Sequence, residues 1–180
     1  MSLELAILDG IQDLFGCALL DTLMPLVTAL GNAGIVWIVC AVLLLLRRST
    51  RKTGLSMAAA LILELLVCNL LLKPLVDRVR PFELNTAVQL LITAPADGSF
   101  PSGHTGASFA SVVVLFRSRS RLRWPALLLS ILIAFSRLYL YVHFPTDVLA
   151  GIIIGSALGW IGWQLTDSLY RRRSAAAGRP

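Results

Sequence analysis

The chain holds two histidines, His104 and His143, and each lies in a polar cluster beside a long apolar run. His104 closes the stretch "PSGH" at residues 101–104. Pro101 suits a helix beginning, Gly103 lets a backbone approach a ligand closely, and the free N–H groups at a helix start favour negative charge. Ser102 can donate its hydroxyl, the N–H groups of Gly103 and His104 can reach anion oxygens, and the His104 imidazole can give a proton to a departing oxygen. His143 precedes Asp147 by four residues. One ring nitrogen can then turn to the carboxylate while the other faces an electrophile as a nucleophile.

Those groups need elements that bring them together. The 180 residues are 57% hydrophobic and 14% charged, a composition far from that of a soluble domain and suited to an integral membrane protein. A crossing takes about 20 apolar residues. The expected fold is therefore all-α: a polytopic membrane helical bundle of about five transmembrane helices plus an N-terminal interfacial amphipathic helix. It forms a single domain over 1–180, with the interfacial helix at 1–21, the transmembrane core at 22–165 and a cytoplasmic tail at 166–180. In the first segment Leu3, Ile7, Ile11, Leu14 and Ala18 share a helical face, with Glu4, Asp9, Gln12 and Asp13 elsewhere on the circumference. The spans are expected near 22–46, 54–72, 102–116, 125–142 and 147–165, with Trp124 and Trp163 as interfacial anchors and "TAVQLLI" as a short interfacial helix in the long connection. Because Glu4, Asp9 and Asp13 precede any Lys or Arg, Met1 is read as part of the mature chain rather than of a secretory signal. Cys17, Cys40 and Cys68 lack metal-ligand spacing and read as packing residues.

The net charge of +6 is unevenly placed. Arg47, Arg48, Arg51 and Lys52 form one block, Arg117, Arg119, Arg121 and Arg123 a second, and Arg171, Arg172, Arg173 and Arg179 a third. Each follows an apolar run, the pattern of cytoplasmic loops that touch anionic membrane lipids; nucleic acid is not expected as a partner. This puts the N-terminus outside and the C-terminus inside. The remaining cations, Lys73, Arg78, Arg80 and Arg137, break the pattern. Followed along the spans, Lys73, Arg80 and Arg137 meet Ser102, His104, His143 and Asp147 at one outer face. Clustered, partly desolvated cations call for an anion with several oxygens, and phosphate fits.

"KPLVDRVRP" at 73–81, "PSGH" at 101–104 and "SRLYLYVHFPTD" at 136–147 resemble the three signature motifs of the type-2 phosphatidic acid phosphatase superfamily. The resemblance implies metal-independent hydrolysis of a phosphate or diphosphate through a phosphohistidine, without a cofactor. His143 would be the nucleophile, Asp147 its orienting partner and His104 the general acid, with Lys73, Arg80, Ser102, Gly103 and Arg137 holding the phosphoryl group. The small size and short loops resemble bacterial members that convert undecaprenyl diphosphate to undecaprenyl phosphate for cell-wall synthesis, which implies a bacterial cell membrane. The alternative substrates are phosphatidylglycerophosphate and phosphatidic acid. Two rivals are a transporter that binds phosphate without cleaving it, and a vanadate-dependent haloperoxidase. A His, His, Asp metal site is disfavoured by the adjacent cations.

Three further positions carry weaker signals. Arg78 and Asp77 lie outside the specified motif positions and read as a surface pair. Glu64, mid-span, is expected to hydrogen-bond to a neighbouring helix. Gly151, Gly155 and Gly159 form a small-residue ridge that could mediate a homodimer, but is better suited to seating the last span on Gly103, Ala107 and Ser111.

Overall fold

The computed structural model describes residues 3–177, and every regular element among them is helical. The helices are α1 (Leu3–Phe15), α2 (Ala18–Leu30), α3 (Ile35–Leu46), α4 (Arg51–Glu64), α5 (Gly103–Arg117), α6 (Arg123–Tyr139) and α7 (Pro145–Ala177). The helical run of α4 continues through π-helical turns at Leu65–Leu72 into Lys73–Val76, and a single further turn covers Pro81–Leu84. Leu43, Ile62, Leu70, Leu128 and Ile153 are exposed around the bundle, a rim of large aliphatic side chains that water would not tolerate and lipid would.

Two helical runs, Arg51–Leu84 and Pro145–Arg172, are long and apolar enough to cross a membrane. Ala18–Leu30 and Asn32–Leu46 pass the same test only as a pair bent by 45°. The single straight span expected near 22–46 is thus broken, because Ala33 and Gly34 take left-handed φ values of 49° and 67° and interrupt the ladder. At 15 and 17 residues, α5 and α6 are shorter than the roughly 20 residues of a typical crossing.

The core sits where α5 packs against α4, α6 and α7. Met57, Ala60, Ala107, Ala110, Val114 and Ile133 fill it, and small residues let the backbones close up. A Cβ on Gly155 would overlap the Gly106 carbonyl, and one on Gly159 the Ala110 carbonyl. The glycine ridge of α7 therefore lies on Gly106 and Ala110, one residue round α5 from the expected Gly103, Ala107 and Ser111 face. Gly162 extends the same contact to Ala60 of α4.

Glu64 also departs from expectation. Its Oε2 accepts from Asn69 Nδ2 at 3.3 Å within its own helical run, and Oε1 is buried against Gly106. Residues five apart lie on different faces of an α-helix but stack in a π-helix, so the π-turns produce this pair. In the long connection, "TAVQLLI" forms no helix; Val88, Leu90 and Ile92 instead anchor an irregular chain on Phe82, Tyr141 and Val142. Trp124 is exposed as an interfacial residue would be, whereas Trp163 packs on the core under the Lys52 ammonium at 4.9 Å.

α1 is turned with its polar side inward. Glu4 accepts from Thr146 and Arg78, Asp9 from the Tyr141 hydroxyl at 2.7 Å, and Gln12 donates to the Tyr139 carbonyl. Leu8 is fully buried against Tyr141 and Phe144, while Leu3, Ile7 and Leu14 face out.

Candidate active site

Lys73 ends the π-helical stretch, and Asp77, in a left-handed conformation with φ 42°, caps the turn that follows and redirects the chain toward Arg80. Arg137 ends α6, His104 opens α5, and His143 lies in the connection between α6 and α7. Lys73, Arg80, His104, Arg137 and His143 all line one cavity of about 770 Å³. Five of the eight site residues expected from the sequence thus share a single hollow.

Arg80 and Arg137 are almost wholly buried, and their partners fix their direction. Arg80 donates from Nη1 to the Val142 carbonyl at 2.6 Å, from Nε to the Asp97 carbonyl at 2.8 Å and from Nη2 to the Asp97 carboxylate at 2.7 Å. Arg137 donates to Thr28 Oγ1 at 2.5 Å, and its Nε has no partner among the described residues. Lys73 pairs with the same Asp97 carboxylate.

The two imidazoles are held differently. His143 is buried, with Nε2 3.5 Å from Arg80 Nη1 and Nδ1 3.7 Å from Asp147 Oδ2. That second distance is longer than a direct hydrogen bond. Asp147 is fully buried and also accepts from the Phe144 N–H at 2.8 Å. His104 Nε2 lies 2.9 Å from Asn32 Oδ1, which belongs to the turn between α2 and α3. Gly31 makes room for it, since a Cβ there would come within 2.8 Å of the His104 ring.

Ser102 and Gly103 are placed otherwise than expected. Ser102 is fully buried and does not line the cationic cavity; its Oγ caps α5, accepting from the Thr105 N–H at 3.4 Å and lying 2.9 Å from Thr105 Oγ1. Gly103 borders a second, mainly apolar cavity of about 600 Å³ between α3 and α4, which shares Lys73, Asp97 and His104 with the first. Its lack of a side chain serves contact with Asn69, whose Oδ1 a Cβ would meet at 2.7 Å.

Sequence reasoning missed four polar residues here. Asp97, Asn32 and Thr28 come from loops or a helix face with no local pattern to mark them. Arg78 was read as a surface pair with Asp77, but it reaches Glu4 and the buried Asp147 instead, at 2.6 and 2.5 Å. Asp77 serves as the cap.

The electrostatics follow from burial and neighbours. Burial alone would raise the Asp97 carboxyl, but the hydrogen bonds and charges of Lys73 and Arg80 outweigh it and hold it at about 2. Burial pushes His143 down to about 4, with the Arg137 and Arg80 charges adding to the effect and Asp147 opposing it. A neutral imidazole therefore faces a cationic cavity. Among the described residues no cluster of His, Cys, Asp and Glu has the makings of a metal site.

The PAP2 superfamily model matches residues 52–171, which include all three motifs. The chain belongs to the PAP2 superfamily. As a PAP2 protein it is a multi-pass integral membrane phosphatase. Undecaprenyl-diphosphatase BcrC of Bacillus subtilis (strain 168) is 32% identical over 157 residues, covering 84% of this chain and 78% of the relative. Decaprenylphosphoryl-5-phosphoribose phosphatase of Mycobacterium tuberculosis is 31% identical over 183 residues, covering 98% of this chain and 96% of the relative. The crystal structure of a transmembrane PAP2 type phosphatidylglycerolphosphate phosphatase from Bacillus subtilis aligns with a TM-score of 0.73 at 26% identity, over 92% of this chain and 85% of that one.

Proposed function

We propose that this PAP2 lipid phosphatase hydrolyses a polyprenyl diphosphate, with undecaprenyl diphosphate as its substrate and undecaprenyl phosphate and inorganic phosphate as products. The carrying observation is the cavity in which three buried cations and two imidazoles face one space. The apolar cavity that shares Lys73 and His104 with it supplies a greasy neighbour for a lipid tail. Similarity to the Bacillus subtilis undecaprenyl-diphosphatase supports the choice of lipid.

In this reading Lys73, Arg80 and Arg137 bind the terminal phosphoryl oxygens and spread the charge that builds on them. The N–H groups at the start of α5, at Gly103 and His104, add to that cradle. Nε2 of His143 attacks phosphorus, the bond from phosphorus to the bridging oxygen breaks, and His104 protonates the departing lipid phosphate. Water then gives a proton to the now neutral His104 as it attacks the phosphohistidine, and the bond from phosphorus to Nε2 breaks, returning His143 and releasing phosphate. Asp147 orients His143 and balances the charge on its ring. No metal enters these steps.

We also propose a five-span bundle in a bacterial cell membrane, with α5 and α6 as short spans close to the 102–116 and 125–142 expected from the sequence. The N-terminus lies outside, the C-terminus inside, and the site opens extracytoplasmically. The basic loops support that sidedness, and the length of α5, about 22 Å at 1.5 Å per residue, supports a His104 end set below the headgroups. Similarity to the phosphatidylglycerolphosphate phosphatase structure favours phosphatidylglycerophosphate as the second substrate reading.

Purified protein in detergent, given undecaprenyl diphosphate, phosphatidylglycerophosphate and phosphatidic acid separately with EDTA present, tests the proposal. Phosphate release greatest from the first supports it. Preference for a glycerolipid replaces the substrate, and phosphate binding without turnover replaces the enzyme with a transporter.

A further inference from the structure

Arg78 has no place in the phosphoryl cradle: it does not line the cationic cavity. Its guanidinium lies over the Phe144 ring at 4.1 Å and forks between two carboxylates. Nη1 donates to Asp147 Oδ1 at 2.5 Å and to Thr146 Oγ1 at 2.7 Å, while Nη2 donates to Glu4 Oε2 at 2.6 Å. Glu4 Oε1 closes the ring by accepting from the Thr146 hydroxyl at 2.6 Å and the Thr146 N–H at 3.2 Å. Four side chains from α1, the turn after α4 and the start of α7 thus hold one another behind His143.

We propose that Arg78 is a positioning residue for the His143 and Asp147 pair, and that Glu4 holds Arg78 in place, making α1 part of the working site. This rests on the reading of His143 as the nucleophile. Asp147 is fully buried, and one of its oxygens, Oδ2, must serve both the Phe144 N–H and His143. Without a cation, a buried carboxylate is costly and tends to take up a proton, which would turn an acceptor for the imidazole N–H into a donor. Arg78 stabilises the ionised form through Oδ1 and leaves Oδ2 to the Phe144 N–H and the imidazole ring. As the ring gains positive charge on attack, that carboxylate balances it. A lysine cannot reproduce this fork, because one ammonium cannot present two coplanar donors to Glu4 and Asp147 at once.

The test compares wild type with Arg78→Met, Arg78→Lys, Glu4→Gln and the Glu4→Gln, Arg78→Met double variant, by phosphate release from undecaprenyl diphosphate and by competitive inhibition with inorganic phosphate. Arg78→Met should lower kcat roughly tenfold to a hundredfold, the range for groups that orient another functional side chain, with KM and phosphate inhibition within about threefold. Arg78→Lys should recover only part of kcat. Glu4→Gln should cost less than Arg78→Met and add nothing to it, because both act through one contact. Should Arg78→Met fail to fold, the Lys and Gln variants carry the comparison. Unchanged kcat, or a parallel loss of kcat and phosphate inhibition, would overturn the role of Arg78; additive losses would overturn that of Glu4. A wild type that releases phosphate from no lipid would sink the catalytic reading itself, a result separate from any of these.

Discussion

Asp97 sets its carboxylate against Lys73 and Arg80, the two cations that a phosphoryl group would need. With Lys73 and Arg80 in their proposed role, substrate would displace it, and leaving phosphate would compete with its return. Since the Asp97 side chain is half exposed at 53%, the competition is moderate, and Asp97→Asn should lower KM and the inhibition constant for inorganic phosphate by about three- to tenfold. With its carboxyl held at about 2, Asp97 stays ionised down to strong acid, so mild acidification should not relieve the competition. His143 sets the acid limit instead. Held at about 4, its imidazole is neutral above that value and becomes protonated as the pH falls through it, which on the proposed mechanism would remove the nucleophile. The rate profile with pH should therefore be insensitive to this group near neutrality and fall on the acid side near that value. His143→Ala should remove more than about 10³-fold of turnover, while wild type keeps its rate in EDTA; phosphate release measures both.

Gly155 governs how closely α5 and α7 approach, and with them His104 and His143. Gly155→Leu would drive a side chain into the Gly106 backbone, and overpacking of this kind costs about 1–3 kcal/mol. The expected outcome is a melting temperature several degrees lower in detergent together with loss of activity; an unshifted melting curve would contradict the packing. The approach of these helices was readable because glycines four apart make a ridge wherever they fall, but which face of α5 receives it depends on side-chain volumes across the interface. The motif residues were likewise readable by type and order, and five of them share the cavity. The turn that breaks 22–46 was not, since nothing local in "GNAG" requires Ala33 to adopt a positive φ. Nor were the π-turns, which leave the apolar composition of Leu65–Leu72 unchanged. Arg78 and Asp97 were missed because a charge in a loop takes its meaning from a partner far away in sequence.

At the scale of the whole bundle, the described members of the basic blocks, down to Arg172, gather at the end away from the cavity, while the Arg173 side chain and Arg179 lie outside the described residues. Lys52 at the start of α4 pairs with Asp167 of α7, which also holds Arg171, while Arg123 lies over Phe116 where α5 gives way to α6. With that end in the cytoplasm, a cysteine replacing Ser120 should resist a membrane-impermeant maleimide on intact cells, and one replacing Thr86 should react, in a background of Cys17→Ser, Cys40→Ser and Cys68→Ser. The reverse labelling pattern would invert the proposed orientation.

The inward-facing polar side of α1 bears on how the molecule is made. Glu4, Asp9 and Gln12 precede their partners Thr146, Tyr141 and Tyr139 by well over a hundred residues of chain. The polar face of α1 finds these partners only once the later helices are in place, so with Glu4 in its proposed role the completed His143 and Asp147 pair would depend on α1 docking onto them.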